Sequence, residues 1–366
     1  MILVESLIKI LKKNSIDFFT GVPDSVLKNL STYLNNSKKK KHLIASNEGG
    51  AIGLAIGYYL STKKLAVVYM QNSGLTNALN PLLSLSHKKI YSIPMLLLIG
   101  WRGAPGVKDE PQHMIMGKLT KKFLSLADIK FITLNNKKDL LNLPKLIKFS
   151  KKYKKPVACI IKKNQLSSNI TNNFKPDATN LPTRAIVLKK ILNIVNAKTK
   201  IISNTGFASR ELYHIRSKKK YKGKDFYLVG GMGHTAMVAL GNSIFYKGKT
   251  ICIDGDGSML MHLGSLNLYN QHQETNLKYI LFNNNSHESV GRQATNINNL
   301  DIKKIAQGFR FKTIERIKNE RNLEYKLKKF LNSKKISFLE IKIKNDTFKN
   351  LMRPKDFIKI KENFKK

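Results

Sequence analysis

Apolar residues along this chain fall into short unbroken runs, most of them closed by glycine, asparagine, serine or aspartate. In the first half, runs at 17–20, 42–45, 65–70, 93–99, 131–134 and 157–161 read as strands. Between them, 24–33, 48–60, 77–86, 113–127 and 138–153 carry the mixed apolar and polar spacing of helices. Strands that are apolar without alternation are buried on both faces, which predicts a parallel sheet covered by helices on either side. Gly53 and Gly57 in the 48–60 helix are expected to allow close packing. Residues 1–19 set Glu5, Lys9, Lys12 and Lys13 among apolar positions, the pattern of an amphipathic helix and not of a signal peptide.

The alternation lapses over 166–182, a polar, turn-rich stretch that reads as a linker. It then resumes. Ile201-Ile202 leads to Asn204-Thr205-Gly206, and 226–229 leads to Gly230-Gly231-Met232-Gly233. Ile251 to Ile253 leads to Gly255-Asp256-Gly257-Ser258, and Tyr279 to Phe282 leads to three asparagines, Asn283 to Asn285. A last strand at 338–343 precedes a lysine-rich tail. The expected architecture is α/β, with two doubly wound parallel-sheet domains at 1–165 and 183–366 and no middle domain. In such open sheets the strand ends converge on the ligand crevice.

With 366 residues and 42% apolar content, the chain is long enough for two real cores. The longest apolar run, Ile93 to Trp101, is strand-sized, so no membrane span or membrane partner is expected and the expected location is the cytoplasm. Two cysteines, Cys159 and Cys252, both in apolar runs, read as core residues and build neither a disulfide framework nor a cysteine metal site. The net charge of +43 is large, but it comes from 57 lysines scattered over most loops against nine arginines. There is no aromatic-interleaved basic motif, so specific nucleic-acid binding is not expected. A general attraction for anionic substrates is.

The stretch 250–285 carries the chemistry. A strand ends in Gly-Asp-Gly-Ser, a helix follows from Ser258, and a second strand ends in the asparagine run. The glycines let a large anion approach the backbone, and a helix start points free N–H groups at it. One carboxylate and one carboxamide at neighbouring strand ends fit Mg²⁺ held jointly with substrate phosphates. A tight turn is the plain alternative for Asp256, and a helix-start carboxylate for Glu48.

This spacing resembles the diphosphate-binding motif of thiamine-diphosphate enzymes. Further stretches, TGVPDS at 20–25, ASNEGG at 45–50, QNSGLTN at 71–77, VKDEPQH at 107–113 and NNSHESVGRQAT at 284–295, are similar to those of phosphonopyruvate decarboxylases, with the sulfopyruvate decarboxylases as close relatives. The resemblance implies a pyrimidine-binding and a diphosphate-binding domain, thiamine diphosphate and Mg²⁺ as cofactors, and a homodimer or larger homo-oligomer with shared sites. It implies Asp256, Asn284 and the carbonyl of Ser286 as metal ligands, with Asn283 outside the set. Gly255, Gly257 and Ser258 would line the diphosphate, and Thr205, Gly206 and Gly231 the same crevice. Met232 would prop the cofactor into its bent shape. Glu48 would hydrogen-bond the aminopyrimidine ring.

Three substrate contacts follow less directly. By resemblance Ser25 faces the reacting carbon; its plain alternative is a helix cap. His113 is placed to relay a proton after CO₂ loss, or is a surface histidine. Arg210 offers a guanidinium fork to a phosphonate or sulfonate, or pairs with an acid such as Glu211. Departures from the family pattern are Thr76, Asn285 and Arg292, the first and last in place of glycine; a position with φ > 0 tolerates asparagine. The expected reaction is decarboxylation of a small anionic 2-oxo acid, phosphonopyruvate first and sulfopyruvate as the alternative. The rival from another class is a non-catalytic basic protein that binds anions or nucleic acid.

Overall fold

The computed structural model describes residues 1–36, 40–170, 180–218, 221 and 223–366. It divides into two compact units, Met1–Phe174 with His287–Gln293, and Lys175–Ser286 with Ala294–Lys366. Of the expected linker, 171–179 lies outside the described residues. Its first residues are not free: Leu166–Ser167 pairs in parallel with Ile2–Leu3 and so belongs to the first unit.

The first unit is built on six parallel strands: β1 Phe19–Gly21, β2 His42–Ile44, β3 Ala66–Gln71, β4 Met95–Trp101, β5 Lys130–Leu134 and β6 Val157–Lys162. Their order across the sheet is β2-β1-β3-β4-β6-β5. The second unit has β7 Lys200–Ser203, β8 Lys224–Tyr227, β9 Thr250–Gly255, β10 Leu277–Asn283, β11 Thr313–Ile317 and β12 Ser337–Lys342. The order there is β8-β7-β9-β10-β12-β11, the same winding repeated. Both sheets are doubly wound, as expected.

Burial explains which strands are apolar throughout. Every residue of β4 and of β10, at the middle of each sheet, is buried. Helices on both faces leave no side for a polar residue. The edge strands are half open: Glu315 and Arg316 of β11 are exposed or partly exposed, and Leu43 of β2 is exposed. Each sheet therefore separates two apolar clusters, one per face. In the first unit Leu96, Leu98 and Cys159 lie on one side and Leu97, Ile99 and Ile160 on the other.

Several elements differ from expectation for identifiable reasons. The helix expected at 77–86 is a 3₁₀ turn at Asn72–Gly74, an α segment at Leu75–Pro81 and a π turn at Leu82–Ser86. Pro81 has no N–H to give, so the regular ladder changes there. The helix expected from Ser258 begins at Asp256 and ends at Met261, with Gly255 as its extended cap. The lysine-rich tail contains a helix, Phe357–Lys365. Gly53 and Gly57 do not serve close packing within this chain; both are exposed, with nothing near the place a Cβ would take. Among the described residues no helix is long and apolar enough to cross a membrane.

Candidate active site

In the first unit, Glu48 opens the helix Glu48–Thr62 just past the C-terminal end of β2. Asn47 caps that helix, its Oδ1 accepting from the Gly50 N–H at 2.7 Å. The Glu48 side chain is buried, and its Oε2 accepts from Asn77 Nδ2 at 3.0 Å. A Cβ on Gly74 would stand 2.2 Å from Glu48 Oε1, so glycine at that place is what makes room for the carboxylate. The backbone of Gly74 is ordinary, with φ −75°. Gly74→Ala is therefore free of backbone strain, yet it must displace Glu48. We expect kcat/KM to fall roughly 100-fold with the fold retained, the scale of loss that a displacement of about 1 Å can cause at a site. Steady-state kinetics beside far-UV circular dichroism checks it.

Ser25 follows β1 and is half-buried. It is not a helix cap: its Oγ accepts from Arg102 Nη1 at 2.9 Å, and the helix Lys28–Asn35 has no side-chain cap. Asp24 instead shapes the turn ahead of the helix Lys28–Asn35, its Oδ2 accepting from the N–H groups of Val26 and Leu27 at 3.0 and 3.2 Å. Burial pushes the Asp24 carboxyl up to about 6, against the opposing pull of Arg102. Gly100 gives Asp24 its space, since a Cβ there would lie 1.9 Å from Oδ2. Arg102 also grips Asp109, Nε to Oδ2 at 2.7 Å and Nη2 to Oδ1 at 2.5 Å. Despite partial burial, this fork and the N–H groups of Gly103 and Glu110 hold Asp109 well below the usual carboxylate range. His113 stands at the start of the helix Pro111–Leu126 that this loop leads into, and is half-buried.

The second unit gathers the turns after β7, β8, β9 and β10. Asp256 is buried; its Oδ1 accepts from the Gly257 N–H at 2.7 Å, and its Oδ2 from the Ser286 N–H at 3.2 Å and the Thr295 hydroxyl at 3.0 Å. Burial pushes its carboxyl up to about 6, while these three donors favour the charged form. Asn284 Oδ1 accepts from the Ser286 N–H at 3.2 Å, and its Nδ2 donates to Asn345 Oδ1 at 3.0 Å. Asn283 points elsewhere. Its Nδ2 donates to buried Glu340 Oε1 at 2.7 Å, and its Oδ1 accepts from the Asn285 N–H. Asn285 has φ +53°, which asparagine tolerates; Arg292 has φ +59°.

Around this pair, Gly206, Gly231 and Gly233 have φ of +98°, +62° and +92°, and Met232 is the half-buried side chain between the last two. Thr205 is half-buried beside Gly206. A Cβ on Gly255 would meet Asn204 Nδ2 at 2.9 Å. Ser258 Oγ accepts from the Gly233 N–H at 3.1 Å, tying two of the turns together. Arg210 lies over the Phe207 ring, 5.6 Å from its centroid. Glu211 is buried and accepts from Arg184 Nη1 at 3.0 Å, so its partner in the core is Arg184.

Two families match this chain. The "Thiamine pyrophosphate enzyme, N-terminal TPP binding domain" covers residues 1–124, and the "Thiamine pyrophosphate enzyme, C-terminal TPP binding domain" covers residues 202–341. A phosphonopyruvate decarboxylase of Streptomyces viridochromogenes is 30% identical over 92% of this chain and 87% of its own. The chain belongs to the thiamine-diphosphate-dependent decarboxylases. A second phosphonopyruvate decarboxylase, of Streptomyces hygroscopicus, is 31% identical over 80% of this chain and 76% of its own. The beta subunit of a sulfopyruvate decarboxylase of Methanocaldococcus jannaschii is 36% identical over 36% of this chain and 69% of its own.

Both matched regions are thiamine-pyrophosphate-binding domains, and polar atoms and open turns of the second unit suit an anionic group. Asn204 Oδ1 and Ser286 Oγ are buried polar atoms with no protein partner among the described residues. Glycines with positive φ open the backbone of the turns beside Met232 and Thr205. Among the described residues no group of three or more His, Cys, Asp or Glu side chains stands ready for a metal. A hard cation held by one carboxylate, one carboxamide and a carbonyl, with phosphate oxygens completing the shell, needs none.

Sequence reading missed Arg102, Asp24, Asp254, Asn204 and Thr295. Asp254 is fully buried just before the Gly255-Asp256-Gly257 turn and accepts from Tyr279 Oη at 2.8 Å and from the Gly255 N–H at 2.9 Å. The signal for Arg102 was available: it is the only arginine among the first 183 residues of a lysine-dominated chain, and it follows an apolar strand.

Proposed function

We propose that this decarboxylase converts 3-phosphonopyruvate to phosphonoacetaldehyde and CO₂. The observation that carries this reading is the 30% identity to a phosphonopyruvate decarboxylase running through both units. Thiamine diphosphate, when bound, supplies the electron sink for the pair left behind by CO₂. The Asp256 carboxylate, the Asn284 carboxamide and the Ser286 carbonyl would hold Mg²⁺ together with phosphate oxygens. Gly255, Gly257 and Ser258 let that diphosphate approach the backbone, with Gly206, Gly231 and Thr205 beside it. Met232 would support the bound cofactor. Glu48 holds a proton at the aminopyrimidine, and Asn77 and Gly74 fix where its carboxylate stands. Ser25 binds the 2-oxo acid, and His113 delivers the proton that replaces CO₂.

The working assembly is at least a homodimer, with Glu48 of one chain and Asp256 of its partner serving one cofactor. The helix that Glu48 opens supports this: Leu54 and Leu60 are exposed on it, and Gly53 and Gly57 have open space around them. Exposed apolar residues beside bare backbone suit close approach of another chain. The similarity of one part of this chain to a separately named subunit agrees.

Sulfopyruvate is the second reading, favoured by that same relative. An aldehyde-release assay with phosphonopyruvate, sulfopyruvate and pyruvate, with and without thiamine diphosphate and Mg²⁺, decides. We expect cofactor-dependent turnover with kcat/KM for phosphonopyruvate roughly 100-fold or more above pyruvate, because a buried cation left without its anion is costly. Comparable values for pyruvate would remove the anionic-substrate reading, and a preference for sulfopyruvate would exchange the two substrates.

A further inference from the structure

Arg102 sits one residue beyond β4, at the C-terminal edge of the first sheet, where ligands of open α/β sheets bind. Its side chain is 15% exposed, so it is largely buried but still reaches solvent. A guanidinium has five N–H groups on two usable edges. Asp109 occupies the Nε/Nη2 edge with both oxygens. The Nη1/Nη2 edge carries Ser25 alone, through Nη1. Two N–H groups therefore remain, one on each terminal nitrogen, without a partner among the described residues. Ser25 accepts from Arg102, so its own hydroxyl proton also remains available to donate. Three N–H or O–H donors thus remain on one hydrogen-bonded pair past the ends of β1 and β4, with the carboxyls of Asp24 and Glu110 nearby, and such donors can hold an oxyanion.

We infer that Arg102 and Ser25 form the clamp for the terminal anion of the substrate, in place of Arg210; this rests on the reading of phosphonopyruvate as substrate. Of the substrate's two anionic ends, the phosphonate is the one to hold. A cation gripping the carboxylate would stabilise charge that disappears as CO₂ leaves, and so would oppose the reaction. Asp109 fixes the fork before substrate arrives, so little side-chain freedom is lost on binding. The loop residues it also holds, Gly103 and Glu110, lead to the helix of His113. A clamp at this place sets the substrate's far end while leaving its 2-oxo carbon beside Ser25. Asp24 and Glu110 bring negative charge near the guanidinium. Burial already raises the Asp24 carboxyl, against the pull of Arg102.

The test uses the cofactor-loaded full chain with Arg102→Gln and Arg102→Lys. The measured quantity is the ratio of kcat/KM for phosphonopyruvate to that for pyruvate. We expect Arg102→Gln to lower this ratio by about 30-fold or more, chiefly through KM for phosphonopyruvate, and Arg102→Lys to lower it by about 10-fold, since a lysine keeps the charge without the fork. Calorimetric binding of 3-phosphonopropionate, an unreactive analogue without the 2-oxo group, should weaken in the same order. Equal losses for both substrates, or an unchanged ratio, would overturn the clamp and leave Arg102 a structural partner of Asp109. If Arg102→Gln does not fold, Arg102→Lys and the analogue decide alone. A wild-type chain that does not decarboxylate phosphonopyruvate would instead refute the substrate assignment, whatever the variants do.

Discussion

Asp256→Ala is expected to lose retention of thiamine diphosphate while keeping its fold. In the wild type the carboxylate is buried and accepts only from neutral donors, the Gly257 and Ser286 N–H groups and the Thr295 hydroxyl. Removing it takes away the one charged protein ligand in the proposed Mg²⁺ site, and the diphosphate then faces no firmly held cation. Cofactor affinity should fall by roughly 100-fold or more, read by titration of thiamine diphosphate at fixed Mg²⁺. Asn284→Ala should behave alike. Asn283→Ala should not: that side chain bonds Glu340 and the Asn285 N–H, so its loss costs about 1–3 kcal/mol of stability with a smaller effect on affinity. Normal affinity in Asp256→Ala would remove the metal assignment, and the reverse order of the two asparagines would move the ligand to Asn283.

Glu48→Gln should bind cofactor and lose most of its turnover, by roughly 10²–10⁴-fold. Glutamine fills the same cradle beside Gly74 and keeps an oxygen for Asn77, but it carries no acid proton to exchange. Because Glu48 and Asp256 lie in different units, the two defects also report on assembly. If sites are shared between chains, a heterodimer of Glu48→Gln and Asp256→Ala has one site with both defects and one with neither. Mixing the two inactive variants under subunit exchange should then restore a fraction of the wild-type rate. Heterodimers demonstrated by mass spectrometry that stay inactive would show that each chain completes its own site.

Much of this architecture is legible in the chain itself. The central strands β3, β4, β9 and β10 are buried on nearly every residue, so their side chains are apolar without interruption and their positions can be read directly. The turns that close them must leave room for a large anion, so glycine, aspartate and asparagine mark them. The places of Glu48, Asp256 and Asn284 past strand ends were readable for this reason, together with the resemblance of their motifs; their roles in a site are a proposal.

What the sequence left open lies where local pattern and tertiary environment part. Strand β11, with Glu315 and Arg316 in the middle, reads as a polar segment, because an edge strand needs an apolar residue only where it meets the core, as at Ile317. Three consecutive asparagines are alike in sequence. Only the folded chain sends Asn283 to Glu340 and lets Asn284 share the Ser286 N–H with Asp256, because successive side chains leave a strand end in opposite directions. Gly74 and Gly100 look like ordinary turn and strand residues until the fold brings Glu48 and Asp24 against them. Arg102 and Ser25 are 77 positions apart, and Arg102 meets Asp109 across a loop. Which edge of a guanidinium is taken and which is left is set by those partners in space, and no spacing along the chain encodes it.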